Sequence, residues 1–117
     1  MSVEQPSSTT VLSEIGERLG VVPKVYRVMA LDPAYLKITW NREKGLMYEG
    51  VIDTFTKRMI ALTVLAKVMA RELLSVRWSI AKRDGASLEQ LFEALHVTYT
   101  FQKNSVHTSG MQLREPS

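Results

Sequence analysis

The stretch from Phe55 to Arg83 contains neither glycine nor proline, and this feature constrains the fold more than any other. Glycine and proline are the residues that most strongly interrupt helices, so nothing in the stretch obliges the chain to stop being helical. The part from Met59 to Met69 is apolar on nearly all sides, which indicates a helix buried in the core of the domain or of an oligomer. The sequence therefore predicts one long helix, or two helices joined by a kink between Lys67 and Ala70.

Start and stop signals divide the rest of the chain into further helices. Side-chain oxygens and prolines favour helix starts, and glycine in the left-handed conformation favours helix ends. The predicted helix starts are Ser13, Pro23, Asp32-Pro33, Asp53 or Thr54, and the capping box Ser87-Leu-Glu-Gln90. The predicted helix ends are Arg18, Tyr48 and Arg83, and each of them lies shortly before a glycine. The expected fold class is all-α, a bundle of about five or six helices with a central antiparallel helix pair.

The chain has the size of one domain. Its 117 residues, of which 45% are hydrophobic, are enough to bury one core. We expect a disordered polar tail at 1–10, one domain at 11–113 and a frayed end at 114–117. The tail lacks the pattern of a signal peptide, and charges interrupt every apolar stretch before it reaches the ~20 residues that span a bilayer. We therefore expect a cytoplasmic protein that does not enter a membrane.

Charge and cysteine content limit the classes of function. The net charge is only +3, and basic residues are scattered among acidic ones, which argues against a nucleic-acid partner. A basic helical adaptor would require an exposed cluster of Lys24, Arg27, Lys37 and Arg42 without acidic neighbours. The sequence contains no cysteine, which excludes disulfides, thiolate metal sites and thiol nucleophiles. No histidines have metal-ligand spacing, so we expect neither a metal nor another cofactor.

Four short motifs occur in an order and spacing that resemble those of a known family. They are Gly20-Val-Val-Pro-Lys-Val-Tyr-Arg-Val-Met-Ala-Leu-Asp-Pro33, Ile52-Asp53 followed by Lys57-Arg58-Met59-Ile60-Ala61-Leu62, Gly85-Ala86-Ser87, and Phe101-Gln-Lys-Asn104-Ser-Val106. Together they resemble the carboxymuconolactone decarboxylase superfamily, whose best-known branch is alkylhydroperoxidase D-like, or AhpD-like. The resemblance covers nearly the whole of 11–113. It implies an AhpD-like helical bundle that assembles into homo-oligomers, from dimer to hexamer.

The resemblance also locates a redox site that this chain has lost. AhpD-like members use a Cys-x-x-Cys-x-x-x-His motif and an upstream glutamate to relay protons to a thiolate pair that reduces a peroxide. Counted back from Gly85, the cysteine positions fall at Ala70 and Leu73, the histidine at Arg77 and the glutamate at Arg58. Neither Ala70 nor Leu73 can supply a nucleophile, so thiol peroxidase activity is excluded.

The decarboxylase-like members carry histidines where this chain has none. Arg71-Glu72 is similar to their Arg-Glu pair, displaced by one residue, but Arg77 stands at a histidine position. General acid–base catalysis needs a group that titrates near neutral pH, and arginine does not. The usual decarboxylase chemistry therefore lacks its residues here.

The replacements predict a cationic pocket. Arg58 and Arg77 would bind a small anion through their planar forks, and Glu72 would be the nearby candidate base. On one straight helix the two arginines would point about 100° apart, so convergence requires the kink or a second subunit. The alternative is that these arginines lie on a solvated face or pair with Glu72, Glu43 or a neighbouring subunit.

Three polar side chains near the C-terminus complete the set of candidate site residues. Asn104 and His107 lie one helical turn apart in a polar stretch, and we expect them to line a cavity mouth, with Asn104 binding substrate and His107 acting in catalysis. The alternative is an exposed C-terminal turn. His96 lies beside an apolar stripe, where a partly buried, hydrogen-bonded histidine is expected.

The leading hypothesis is a cysteine-free carboxymuconolactone decarboxylase-like protein that binds or transforms a small anionic metabolite. Its reaction would be of lyase, isomerase or cyclase type, with cofactor-free acid–base or electrostatic catalysis on a carboxylate. The alternative is a noncatalytic oligomeric subunit or pseudoenzyme, which would require the region around Ala70, Leu73 and Arg77 to be dry and fully packed. A nucleic-acid adaptor is a third class, and fold alone does not choose among the three.

Overall fold

The computed structural model describes the backbone of residues 8–112 and the side chains of residues 8–103. The described residues form six helices and no strand, which confirms the all-α prediction. The helices are α1 Ser8–Leu19, α2 Lys24–Met29, α3 Pro33–Tyr48, α4 Thr54–Lys67, α5 Arg71–Arg83 and α6 Leu88–Gln112. The central pair is α4 and α5, while α1 and α2 pack on α3, and α6 packs on α4. None of the described helices is long and apolar enough to cross a membrane.

Several helices begin at the predicted caps. The Asp32 carboxylate accepts a backbone hydrogen bond at the start of α3. At the start of α4, the Asp53 carboxylate accepts a hydrogen bond from the N–H of Thr56 at 3.0 Å. Hydrogen bonds from the hydroxyl and the N–H of Thr56 lower the pKa of the Asp53 carboxyl. The capping box before α6 is complete, because the N–H of Gln90 donates to the Ser87 hydroxyl at 3.1 Å and the N–H of Ser87 donates back to the Gln90 side chain at 2.9 Å.

The prediction for the start of α1 is wrong. The helix begins at Ser8 rather than Ser13, so Ser8 to Thr10 are helical and not part of a disordered tail. The reason is tertiary, since the Ser8 hydroxyl donates to the carbonyl of Ala30 at 2.8 Å and the side chain of Val11 is buried. Residues 1–7 and the predicted frayed end at 114–117 lie outside the described residues.

The break between α4 and α5 falls within the predicted interval between Lys67 and Ala70. Met69 adopts a left-handed conformation with φ of 59°, which is rare for a residue with a side chain. The N–H of Ala70 donates to the carbonyl of Leu65 at 3.0 Å, and the N–H of Met69 donates to that of Ala66 at 3.2 Å. This is the Schellman pattern that commonly ends helices, here with methionine in place of glycine. The turn lets α5 pack on α4.

Two groups of buried side chains form the core. The larger one joins α1, α2, α3 and α5 around Trp40, Tyr26 and Ile15, and the Tyr26 and Trp40 rings meet edge to face with centroids 5.8 Å apart. The smaller one joins α4 and α5 around Leu62 and Ala81. The sequence predicted that α4 is buried on most sides. Within one chain it is not, because most of its apolar side chains other than Leu62 are partly or fully exposed.

Candidate functional site: a cavity between α2, α3, α4 and α5

A cavity of about 760 Å³ lies between α2, α3, α4 and α5. Most of its wall is apolar, with Met29 from α2, Met47 from α3, Leu65 from α4 and Leu73 from α5 among the lining side chains. Cavities that bind small molecules typically measure roughly 300–1,000 Å³ and are mostly apolar with a few polar groups. This cavity has the size and the lining of such a site.

Both arginines proposed from the sequence line this cavity. Arg58 reaches it from α4 and Arg77 from α5. The break near Met69 makes this possible, because it ends α4 and starts a second helix with a different axis. The structure thus brings together two side chains that one straight helix would have separated.

Arg77 is paired with a carboxylate of the same chain. Its Nη1 donates to Oε2 of Glu43 at 2.8 Å and its Nη2 donates to Oε1 at 3.3 Å, which is the two-point geometry that guanidinium groups favour. The Tyr26 hydroxyl donates to the same carboxylate, and the Arg77 guanidinium lies 6.0 Å from the centre of the Tyr26 ring. The sequence allowed Glu43 as one of several partners for these arginines, and the structure selects it for Arg77.

The pKa values of these groups follow from their contacts. Burial lowers the pKa of the Arg77 guanidinium, but the charge of Glu43 and its hydrogen bonds outweigh burial and raise the pKa above its usual value. Burial raises the pKa of the Tyr26 hydroxyl far above its usual value, and the Glu43 carboxylate raises it further. Arg77 is therefore charged and Tyr26 is a neutral hydrogen-bond donor across the physiological pH range.

Arg58 is more buried and is also paired. Its side chain is only 5% exposed, and its Nε donates to Oδ2 of Asp84 at 2.8 Å. Its Nη2 donates to the Tyr48 hydroxyl at 3.0 Å. These two contacts fix the guanidinium at the cavity wall, while Asp84 itself does not line the cavity.

Arg42 also lines the cavity, although the sequence did not assign it to this site. It projects from α3, is exposed and makes no hydrogen bond or ion pair within the described part of the chain. The sequence analysis named it only in the basic cluster that a nucleic-acid adaptor would require, and Glu43 follows it directly in the chain. Its signal was periodicity, because Thr39, Arg42 and Leu46 follow the helical repeat and all line the cavity.

The other predicted site residues are not shown to join this cavity. Glu72 is exposed and is not among the lining residues, so the structure does not place it as a base beside the two arginines. The side chains of Asn104 and His107 lie outside the described residues, and their roles stay predictions. The expectation of a partly buried His96 is wrong, since α6 packs mainly on α4 and leaves this side chain exposed.

A crystal structure supplies the comparison for this arrangement of helices. The alkylhydroperoxidase AhpD core from Rhodospirillum rubrum matches with a TM-score of 0.81 and 28% sequence identity, over 96% of this chain and 83% of that chain. The chain has an AhpD-like fold. No protein-family model matches the sequence, and no curated protein matches it either. Membership of the wider carboxymuconolactone decarboxylase superfamily is therefore a proposal.

The cavity also holds positions that the sequence resemblance had assigned to a lost redox site. The sequence resemblance assigned Arg58, Leu73 and Arg77 to the glutamate, second cysteine and histidine positions of the redox site, and all three line the cavity. Leu73 is 42% exposed, so this position is not packed shut by hydrocarbon.

Proposed function

We propose that this chain is a cysteine-free, divergent carboxymuconolactone decarboxylase-like protein whose cavity binds a small organic anion with an apolar body. The observation that carries the proposal is the composition of the cavity wall. Three arginines and one glutamate line a cavity that is otherwise mainly apolar, so the described wall has an excess of positive charge. A guanidinium group can donate two parallel hydrogen bonds to a carboxylate, so such a wall favours an anionic ligand.

Arg42 is the residue proposed to bind the anionic group. Arg77 and Arg58 already hold carboxylates at 2.8 Å, whereas Arg42 has its whole fork of N–H donors available to a ligand. The apolar walls would cover the rest of the ligand, since burial of hydrocarbon contributes about 25 cal/mol for each Å² removed from water. The ligand is thus an amphipathic anion of small size.

Any reaction on the bound anion is proposed to be cofactor-free acid–base or electrostatic catalysis of lyase, isomerase or cyclase type. Glu43 replaces Glu72 as the carboxylate in reach of the ligand, because only Glu43 lines the cavity. Tyr26 supplies a hydroxyl at the same wall, and the arginines would stabilise negative charge that develops in a transition state. A noncatalytic subunit with a packed former site is not favoured, since Leu73 borders open space.

Octanoate is a suitable probe of this proposal, because it combines one carboxylate with an apolar chain. Isothermal titration calorimetry at low ionic strength should detect octanoate binding to the wild-type protein. Arg42→Gln should weaken that binding by about tenfold or more, since it removes the unpaired cation. The variant should keep its helical circular dichroism, because Arg42 is exposed and contacts no partner within the described residues.

Lys37→Gln is the matched control. Lys37 lies on the same helix, is exposed and does not line the cavity, so its loss should leave octanoate affinity unchanged. Octanamide, which has the same chain without the charge, should bind more weakly than octanoate. The proposal fails if octanoate does not bind, or if octanamide and octanoate bind equally and Arg42→Gln has no effect.

The chain is further proposed to form homo-oligomers, from dimer to hexamer. Its support is the apolar surface that a single chain leaves uncovered on α4 and α6, where Ile60, Phe92 and Tyr99 are at least half exposed. A cytoplasmic location, expected from the sequence, stays a prediction.

A further inference from the structure

We infer that the cavity selects a monoanion over a dianion, and that Glu43 sets this selectivity. The inference rests on the proposed function, because it assumes that an organic anion binds there. Beyond the proposed function, it states how many negative charges the ligand carries and which residue determines that number. The observations behind it are the pairings of the three cavity arginines.

Glu43 occupies the position that a second ligand carboxylate would need. Both of its oxygens are engaged by Arg77, at 2.8 Å and 3.3 Å, and one of them also accepts from the Tyr26 hydroxyl. The two side chains are largely buried, being 18% and 24% exposed. A ligand group would have to displace Glu43 and leave its charge beside the cavity without a cation, which is costly.

Arg58 is closed to a second charge for the same reason. Asp84 binds its Nε at 2.8 Å from outside the cavity, and the Tyr48 hydroxyl accepts from its Nη2 at 3.0 Å. The charge of Arg58 is therefore balanced before a ligand arrives. Two of the three lining arginines have carboxylate partners, which leaves Arg42 as the uncompensated cation of the described wall.

One net positive charge matches one carboxylate. A monoanion neutralises Arg42 and places its remaining atoms against the apolar walls. A dianion would bring its second charge close to Glu43 or into the hydrocarbon lining, and both positions oppose binding. The walls would thus reject a second charge although three arginines line the cavity.

Octanoate and hexylmalonate form a matched pair of probes. Hexylmalonate carries the same apolar chain, and its only difference is a second carboxylate on the carbon next to the first. At mildly alkaline pH both of its carboxyl groups are ionised. Titration calorimetry of the wild-type protein should give a dissociation constant for hexylmalonate about tenfold higher than for octanoate.

Glu43→Gln should abolish this preference. The glutamine oxygen can still accept hydrogen bonds from Tyr26 and Arg77, but its negative charge is gone, so Arg77 becomes available to a second carboxylate. The affinity for hexylmalonate relative to octanoate should rise about tenfold. Glu49→Gln is the control, because Glu49 is exposed near the end of α3, does not line the cavity and should leave the ratio unchanged.

Leu46→Lys provides a second route to the same change in charge. Leu46 lines the cavity but is 68% exposed, so a lysine there adds a cation without disturbing the core. This variant should also shift the ratio towards hexylmalonate, whether or not Glu43→Gln folds normally.

The outcomes separate the two proposals. If wild-type protein binds hexylmalonate as tightly as octanoate or more tightly, the selectivity is overturned while the anion site stands. If Glu43→Gln keeps its helical circular dichroism and leaves the ratio unchanged, the assignment to the charge at Glu43 is overturned, and if Leu46→Lys also leaves it unchanged, the dependence on cavity charge is overturned. If neither probe binds the wild-type protein, the proposed function fails and the inference fails with it.

Discussion

The pairing of Arg77 with Glu43 joins residues that lie far apart in the sequence. Sequence reasoning named Glu43 among the possible partners, but it could not choose, because the choice depends on how α3 and α5 pack. The same limit applied to Arg58, whose partner Asp84 follows α5 and was not considered. The family resemblance predicted that Arg58 and Arg77 would share a site, whereas tertiary packing decided that both are already paired with carboxylates.

The Arg77–Glu43 pair should stabilise the unliganded protein. Arg77→Ala leaves the Glu43 carboxylate and the Tyr26 hydroxyl without their cation in a largely buried setting, so we expect the free energy of unfolding to fall by about 2 kcal/mol. Urea unfolding followed by circular dichroism measures the change. The double variant Arg77→Ala with Glu43→Gln should recover part of the loss, because it removes the unpaired charge. Equal stability of Arg77→Ala and wild-type protein would contradict the assignment.

The helices themselves were largely readable from the sequence, because caps are local. Asp53 and the box from Ser87 to Gln90 make the hydrogen bonds that their spacing predicted. The start of α1 was missed because Ser8 to Thr10 are polar, and the contact of Ser8 with Ala30 and the burial of Val11 come from tertiary packing. The break after Lys67 was anticipated as a kink, but its left-handed residue could not be, since methionine rarely takes that conformation.

Met69 gives a test at the junction of α4 and α5. Its positive φ costs an L-residue roughly 1–2 kcal/mol, and glycine avoids this cost while losing about 0.5–1 kcal/mol more conformational entropy on folding. Met69 is 78% exposed, so little packing is lost on replacement. Met69→Gly should therefore raise the free energy of unfolding by about 0.5–1 kcal/mol in urea titrations. Met69→Ala, which removes the side chain but keeps the strain, should not. A stabilisation by alanine equal to that by glycine would show that backbone strain is not the cause.

At the scale of the whole molecule, the apolar character of α4 could be predicted from the sequence, but what covers this helix could not. The pattern from Met59 to Met69 predicted burial in a domain or an oligomer, and periodicity cannot tell one from the other. Within the single chain, Ile60 and Val68 are at least half exposed, and α6 packs mainly on α4. The sequence thus predicted that this surface is covered, but not by which molecule.

Self-association through α4 and α6 is the remaining prediction. Phe92 is 69% exposed on α6 and borders the groove between α6 and α4, so a second copy that covers this groove would bury it. Sedimentation equilibrium should show the wild-type protein as a dimer or larger species, because exposed aromatic side chains supply much of the energy of such contacts. Phe92→Glu should shift the mass towards the monomer while the helical circular dichroism is kept. Val97→Glu is the control on the same helix, since Val97 is also exposed but does not border this groove. A wild-type protein that sediments as a monomer at micromolar concentration, or a Phe92→Glu variant with the wild-type mass, would show that this surface is not the contact between copies.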